Sequence, residues 1–171
     1  MRSRSDRART AAAILALTLI AALAGCGGSG GGASKKDYYA AINGFCGKVT
    51  AAAKQVSTVT QRVQKDTTAP RSVRLQAVTT SLTQFADSTE TALNTLQKAG
   101  VPATFKAYQA GTATGFESFI AALRKTASES TKTPSVLTQL QSRLNAVKLP
   151  DPPKDITANA KSCAEFTPAG G

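Results

Sequence analysis

Residues 38–63 read YYAAINGFCGKVTAAAKQVSTVTQRV, and this stretch decides the fold. Tyr38, Phe45, Ala52 and Val59 recur every seven residues, and Ile42, Val49, Val56 and Val63 form a second series offset by four. All eight positions are apolar, where a chain that is 42% apolar would supply about three or four. Alternating steps of three and four keep both series on one face of a helix. The spacing therefore predicts one long helix whose apolar seam packs in a bundle. Ser34, with Asp37 three residues later, reads as its capped start. Cys46 lies at the edge of the seam.

Working outward, Asp66-Thr67-Thr68-Ala69-Pro70 breaks the pattern, and Pro70 suits the opening of a second helix. Leu75, Val78, Leu82, Phe85, Ala92 and Leu96 carry the same spacing, and Lys98 and Gly100 suit its end. Pro102 opens a third helix with Phe105, Tyr108, Phe116, Phe119, Ile120 and Leu123. Gly111 and Gly115, one turn apart, predict a close helix contact. Thr133-Pro134 begins a fourth helix with Leu137, Leu140, Leu144 and Val147. The run Leu149-Pro150-Asp151-Pro152-Pro153 interrupts it, and a short last helix carries Ile156, Ala160 and Cys163 on one face. No strand pattern competes. The expected fold is all-α, an antiparallel bundle of about four helices over residues 35–166, with a proline-broken C-terminal helix and a disordered tail at 167–171.

The N-terminus has a different character. Arg2, Arg4, Arg7 and Arg9 precede an uncharged run from Ala11 to Leu23, the order of an export signal. The run is shorter than the ~18 residues that a membrane span requires. It ends in Leu23-Ala24-Gly25-Cys26, which resembles the bacterial lipobox position for position. That resemblance implies cleavage before Cys26, removal of residues 1–25, and diacylglycerol and palmitate-type acyl chains on Cys26. The mature protein would then sit on the outer face of the cytoplasmic membrane, anchored by lipid. Gly27 to Ser34 is glycine and serine with one alanine, a flexible tether averaging roughly 16 Å, so residues 26–34 carry the lipid and the linker. In composition the chain also resembles small Ala/Thr/Gly-rich lipoproteins of actinobacteria, a likeness that implies no activity.

With Cys26 assigned to lipid, Cys46 and Cys163 remain. Outside the reducing cytosol two thiols pair, so a Cys46–Cys163 disulfide is expected. Two sulfurs in a chain with no histidine fall short of a zinc set, and no Cys-x-x-Cys spacing supports redox chemistry. No metal and no cofactor is expected.

The absence of histidine also removes the usual serine and cysteine triads. Asp87 with Glu90 and Asp151 with Asp155 stand one helical turn apart, but capping or a solvated face explains each pair. Tyr38 belongs to the seam and Tyr39 to its rim. No enzyme is expected. Loss of residues 1–25, with four arginines and Asp6, lowers the formal charge from +11 to +8. Such a balance favours an anionic partner, a wall polymer or an envelope protein; nucleic acid is not expected, because an exported protein seldom meets it and the interleaved aromatics of a single-strand binder are missing. If the helices alternate direction, Arg62, Lys65, Arg71 and Arg74 share the far end with Arg124, Lys125 and Lys132. The expected function is a membrane-anchored, non-enzymatic binding or adaptor module of the cell envelope. The alternative is a carrier or sensor holding a small apolar ligand between helices, among Phe85, Phe105, Phe116 and Phe119.

Overall fold

A computed structural model describes residues 33–164. The expected signal segment, Cys26, most of the tether and the tail lie outside the described residues. Helix α1 spans Lys35–Lys65, with Ser34 as its cap: the Ser34 hydroxyl accepts from the Asp37 amide at 3.1 Å and donates to the Asp37 carboxylate at 2.7 Å. Pro70 precedes α2, Arg71–Gln97, as expected of a residue with a fixed φ and no amide to satisfy. A single 3₁₀ turn, Ala103–Phe105, leads from Pro102 into α3, Lys106–Ser130. Among the described residues there is no strand.

The three long helices run up, down and up, and their spacing is unequal. Helix α2 lies close along both α1 and α3, because Ser81, Ala86, Thr89 and Ala92 are small and fully buried between them. Helices α1 and α3 do not approach in that way. Aromatic rings fill their gap. Phe45 meets Phe116 edge to face at 4.7 Å between centroids, and Tyr38 stacks on Phe105 at 5.4 Å. These geometries suit rings with negative faces and positive edges. Val49 and Leu123, at 1% and 0% exposure, complete this core.

The rest of the chain differs in detail from the expected fourth helix. Pro134–Gln139 is 3₁₀, and only Leu140–Asn145, here α4, is α-helical. Leu137, Leu140 and Leu144 nevertheless pack on the core. The helix ends at Asn145, two residues before Val147, and it does not resume because residues ahead of a proline are driven out of the α region, and Leu149, Asp151 and Pro152 all precede one. The extended stretch is held by a notch in α3. A methyl group on Gly115 would stand 2.6 Å from Leu149 Cδ2 and 2.8 Å from the Lys148 carbonyl oxygen, and one on Gly111 would stand 3.3 Å from Pro150 Cγ. The two glycines do serve a close contact, but with an extended strap rather than a helix.

Beyond the prolines the strap crosses to α1. Helix α5, Lys154–Asn159, buries Ile156 to 1%, and α6, Lys161–Ala164, lies against α1. Lys35 pairs with Asp155 at 3.1 Å, the Asn43 side-chain oxygen accepts from the Ser162 amide at 2.8 Å, and Cys46 is bonded to Cys163 with Cα atoms 5.0 Å apart. The bond closes a loop of 117 residues. In the chain-entropy account that removes ~4–5 kcal/mol of freedom from the unfolded chain.

The glycines give a paired prediction. Gly44 has nothing within 4 Å of an added Cβ. Gly44→Ala should therefore raise stability by about 0.5–1 kcal/mol, the helix-propensity gain alone. Gly115→Ala has the same propensity gain but must displace Leu149 and the Lys148 carbonyl. It should lower stability by about 1–2 kcal/mol. Urea unfolding of the two variants checks the sign of each.

Candidate functional site

Positive charge gathers where α1 turns into α2. Arg62 and Lys65 occupy the last turn of α1, where cations favour the exposed carbonyl end of the helix dipole. Arg71 and Arg74 occupy the first turn of α2, which has no acidic residue and where the dipole disfavours cations. Asp66 is the one carboxylate in the turn, and it is occupied. Its Oδ1 accepts from the Thr68 hydroxyl at 2.8 Å and from the Ala69 and Thr68 amides at 3.0 and 3.2 Å. These bonds, the Thr68 hydroxyl first, hold its carboxyl below the ordinary aspartate range. A shallow recess of about 470 Å³, lined by Thr58, Gln61, Arg62, Lys65 and Asp66, lies on this tip. The opposite end of α1 adjoins the α2–α3 turn, where Ala33 meets Gly100. The tip is ~46 Å from there, the length of a helix of 31 residues.

The other three basic residues named from the sequence do not all join this tip. The hydroxyls of Thr79 and Ser130 meet at 2.9 Å, which places the end of α3 alongside Thr79, ~12 Å short of Arg71. Arg124 lies lower still and is engaged. It forks onto Asp87 at 2.7 Å and Glu90 at 2.7 and 3.2 Å. Asp87 and Glu90 are thus neither caps nor merely solvated. Lys125 stands 3.9 Å from Glu129, whose carboxylate also takes Arg143 at 2.6 Å. Lys132 is exposed in the turn just past Ser130.

Elsewhere the side chains with chemistry are structural. Tyr38 is fully buried; its burial, with Tyr108 nearby, pushes the phenol up to about 12. Tyr39 is half buried and rests on Phe105. Arg143, which the sequence did not single out, ties α4 to α3 through Glu129 and Thr126. Of the phenylalanines expected to line a ligand space, Phe85 and Phe116 both meet Phe119 edge to face, and Phe105 stacks on Tyr38. An open groove of about 710 Å³ runs beside Ala110, Thr114, Ser118 and Ala122 of α3, with Arg143 at its edge. Among the described residues no group of three or more acidic or thiol side chains could hold a metal ion. Among them, too, no helix is long and apolar enough to cross a membrane. No protein-family model, curated protein or solved structure matches the chain.

The Arg124 fork makes Glu90 a reporter of helix register. The hydrogen bond and charge of Arg124 hold the Glu90 carboxyl below the ordinary glutamate range. Since its folded-state value lies below the unfolded one, the stabilisation is complete above the ordinary range. It is lost as pH falls through the depressed value. All three side chains are roughly half exposed, so the effect on stability is small. Arg124→Gln should return the Glu90 carboxyl to the ordinary range, read by carbon NMR of the side-chain carboxyl. An unchanged titration would mean that α3 does not sit at this register.

Proposed function

We propose that the protein is a lipid-anchored, non-enzymatic binding module of the cell envelope, which engages an anionic partner through the tip of the α1–α2 hairpin. The observation that carries the binding part is the placement of Arg71 and Arg74 at the N-terminus of α2. Cations there oppose the helix dipole. Local choices that work against stability concentrate at sites kept for another purpose. The interlocked phenylalanines support a surface function over a ligand carried between helices. The anchor rests on Leu23-Ala24-Gly25-Cys26 and the glycine-rich run after it. With the chain entering α1 at the other end, the tip would face away from the membrane, toward anionic wall polymers and partner proteins.

Two measurements test the two parts. The intact mass of protein taken from membranes should begin at Cys26 with added acyl mass, and Cys26→Ser should abolish that form. A soluble product cut elsewhere, with an unmodified cysteine, would sink the anchor.

For the tip, the purified chain should bind poly(glycerol phosphate), with affinity falling steeply as salt rises. Replacing Arg62, Lys65, Arg71 and Arg74 with Gln should abolish binding, whereas Gln at Lys36, Lys106, Lys154 and Lys161 should matter much less. Arg71→Glu should weaken binding while raising stability by about 0.5 kcal/mol. Equal loss from the tip set and the distant lysine set would show that net charge alone acts.

A further inference from the structure

The α1–α2 hairpin outruns the helix that fills its groove. Ser130 meets Thr79, and there α3 ends. The chain then turns back down the bundle, with Arg143 beside Thr126 and Glu129 and Lys148 beside Gly115. From Thr79 to the tip, α1 and α2 have eight or nine residues each beyond the end of α3, a span of ~12 Å.

The apolar seam does not stop where its cover does. Ile42, Phe45 and Val49 on α1, and Leu82 and Phe85 on α2, are buried. The same faces continue with Val56, Val59 and Val63 and with Leu75 and Val78, which are only half buried. The core itself reaches no further than Val56 and Val78. An apolar stripe in strict register that stays partly exposed over its last two turns is a surface short of a partner.

We propose that this open end of the seam receives a short acidic amphipathic helix of a partner protein, laid between α1 and α2 in the place α3 occupies lower down. The inference rests on the tip being the binding surface, and it names what binds. Charge selects the occupant. The seam ends among Arg62, Lys65, Arg71 and Arg74, and the carboxylate of Asp66 is already taken by Thr68 and Ala69. A second copy of this chain would bring the same cations and be repelled. A bare anionic polymer would pair with the cations and leave Val59, Val63 and Leu75 wet. A helix with leucines on one face and glutamates on the other satisfies both features. About ten residues, two to three turns, would fill the span, a contact small enough to be transient.

The test uses the purified chain with its disulfide intact and a fluorescent 14-residue peptide carrying leucines at three–four spacing and glutamates elsewhere. Three controls accompany it: the same peptide with lysine for glutamate, a scrambled peptide of the same composition, and poly(glycerol phosphate). The acidic amphipathic peptide should bind at least tenfold tighter than either control peptide. Binding should slow amide exchange at residues 56–63 and 72–79. Val63→Ser with Leu75→Ser should weaken the peptide at least tenfold and leave polymer binding unchanged. Arg62→Gln with Arg71→Gln should weaken both. Helical circular dichroism confirms that each variant is folded. Equal binding of the scrambled peptide, or indifference to Val63→Ser with Leu75→Ser, would overturn the docked helix while leaving the cationic tip in place. Indifference of both peptide and polymer to the arginine changes would overturn the tip as well.

Discussion

The edge-to-face contact of Phe45 with Phe116 spans the widest interface of the bundle. Two helices faced with alanine and serine can lie backbone to backbone, as α2 does with both neighbours. Helices α1 and α3 are held apart by rings, and the space between them is as wide as an aromatic side chain is long. That choice leaves a seam open at the surface, and the chain must cover it. The strap from Lys148 to Cys163 does so: it is notched into α3 at Gly111 and Gly115, crosses with Ile156 buried, and is bonded to α1 at Cys46. Gly111 and Gly115, the prolines at 150, 152 and 153, and the bond from Cys163 to Cys46 all answer to that one gap. A lean core with no tryptophan could not close it by bulk alone.

Charge is distributed by a different rule. Along the sides of the bundle cations meet carboxylates: Arg124 with Asp87 and Glu90, Arg143 with Glu129, Lys35 with Asp155. These pairs are largely exposed and set register more than stability. At the hairpin tip the matching fails, because the turn has four cations and a single carboxylate bound to its own backbone. The end of the molecule with unbalanced charge is also the end where the apolar seam is only partly buried.

Much of the architecture was legible in the sequence, for definite reasons. The heptad from Tyr38 to Val63 is long enough to specify a helix and its buried face. Pro70 and Pro102 fix helix starts because their rings permit little else, and assigning Cys26 to lipid left Cys46 and Cys163 as the one expected pairing. The features that escaped depend on distances between elements. Leu137, Leu140 and Leu144 are spaced by three and four, which suits 3₁₀ and α alike, so the mixed fourth element gave no signal. Arg124 was placed at the tip because alternation of helices says nothing of stagger. The turn through residues 98–105 leaves α3 short, and only the Thr79–Ser130 contact reveals it. Gly111 and Gly115 announced a close approach without saying that an extended strap, rather than a helix, would make it.

The path of the strap has a consequence in time. A chain that emerges N-terminus first can pair α1 with α2 and α2 with α3 as each appears, since those contacts join neighbours. The cover over the rings between α1 and α3 waits for the last fifteen or so residues of the fold, and Cys46 waits with it as a free thiol. In that interval the one other cysteine of the chain already made, and so the one available for mispairing within it, is Cys26. A sulfur already joined to diacylglycerol has no thiol to exchange. Under the proposed anchoring, acylation would therefore act as a protecting group, holding Cys46 for the one partner that arrives last.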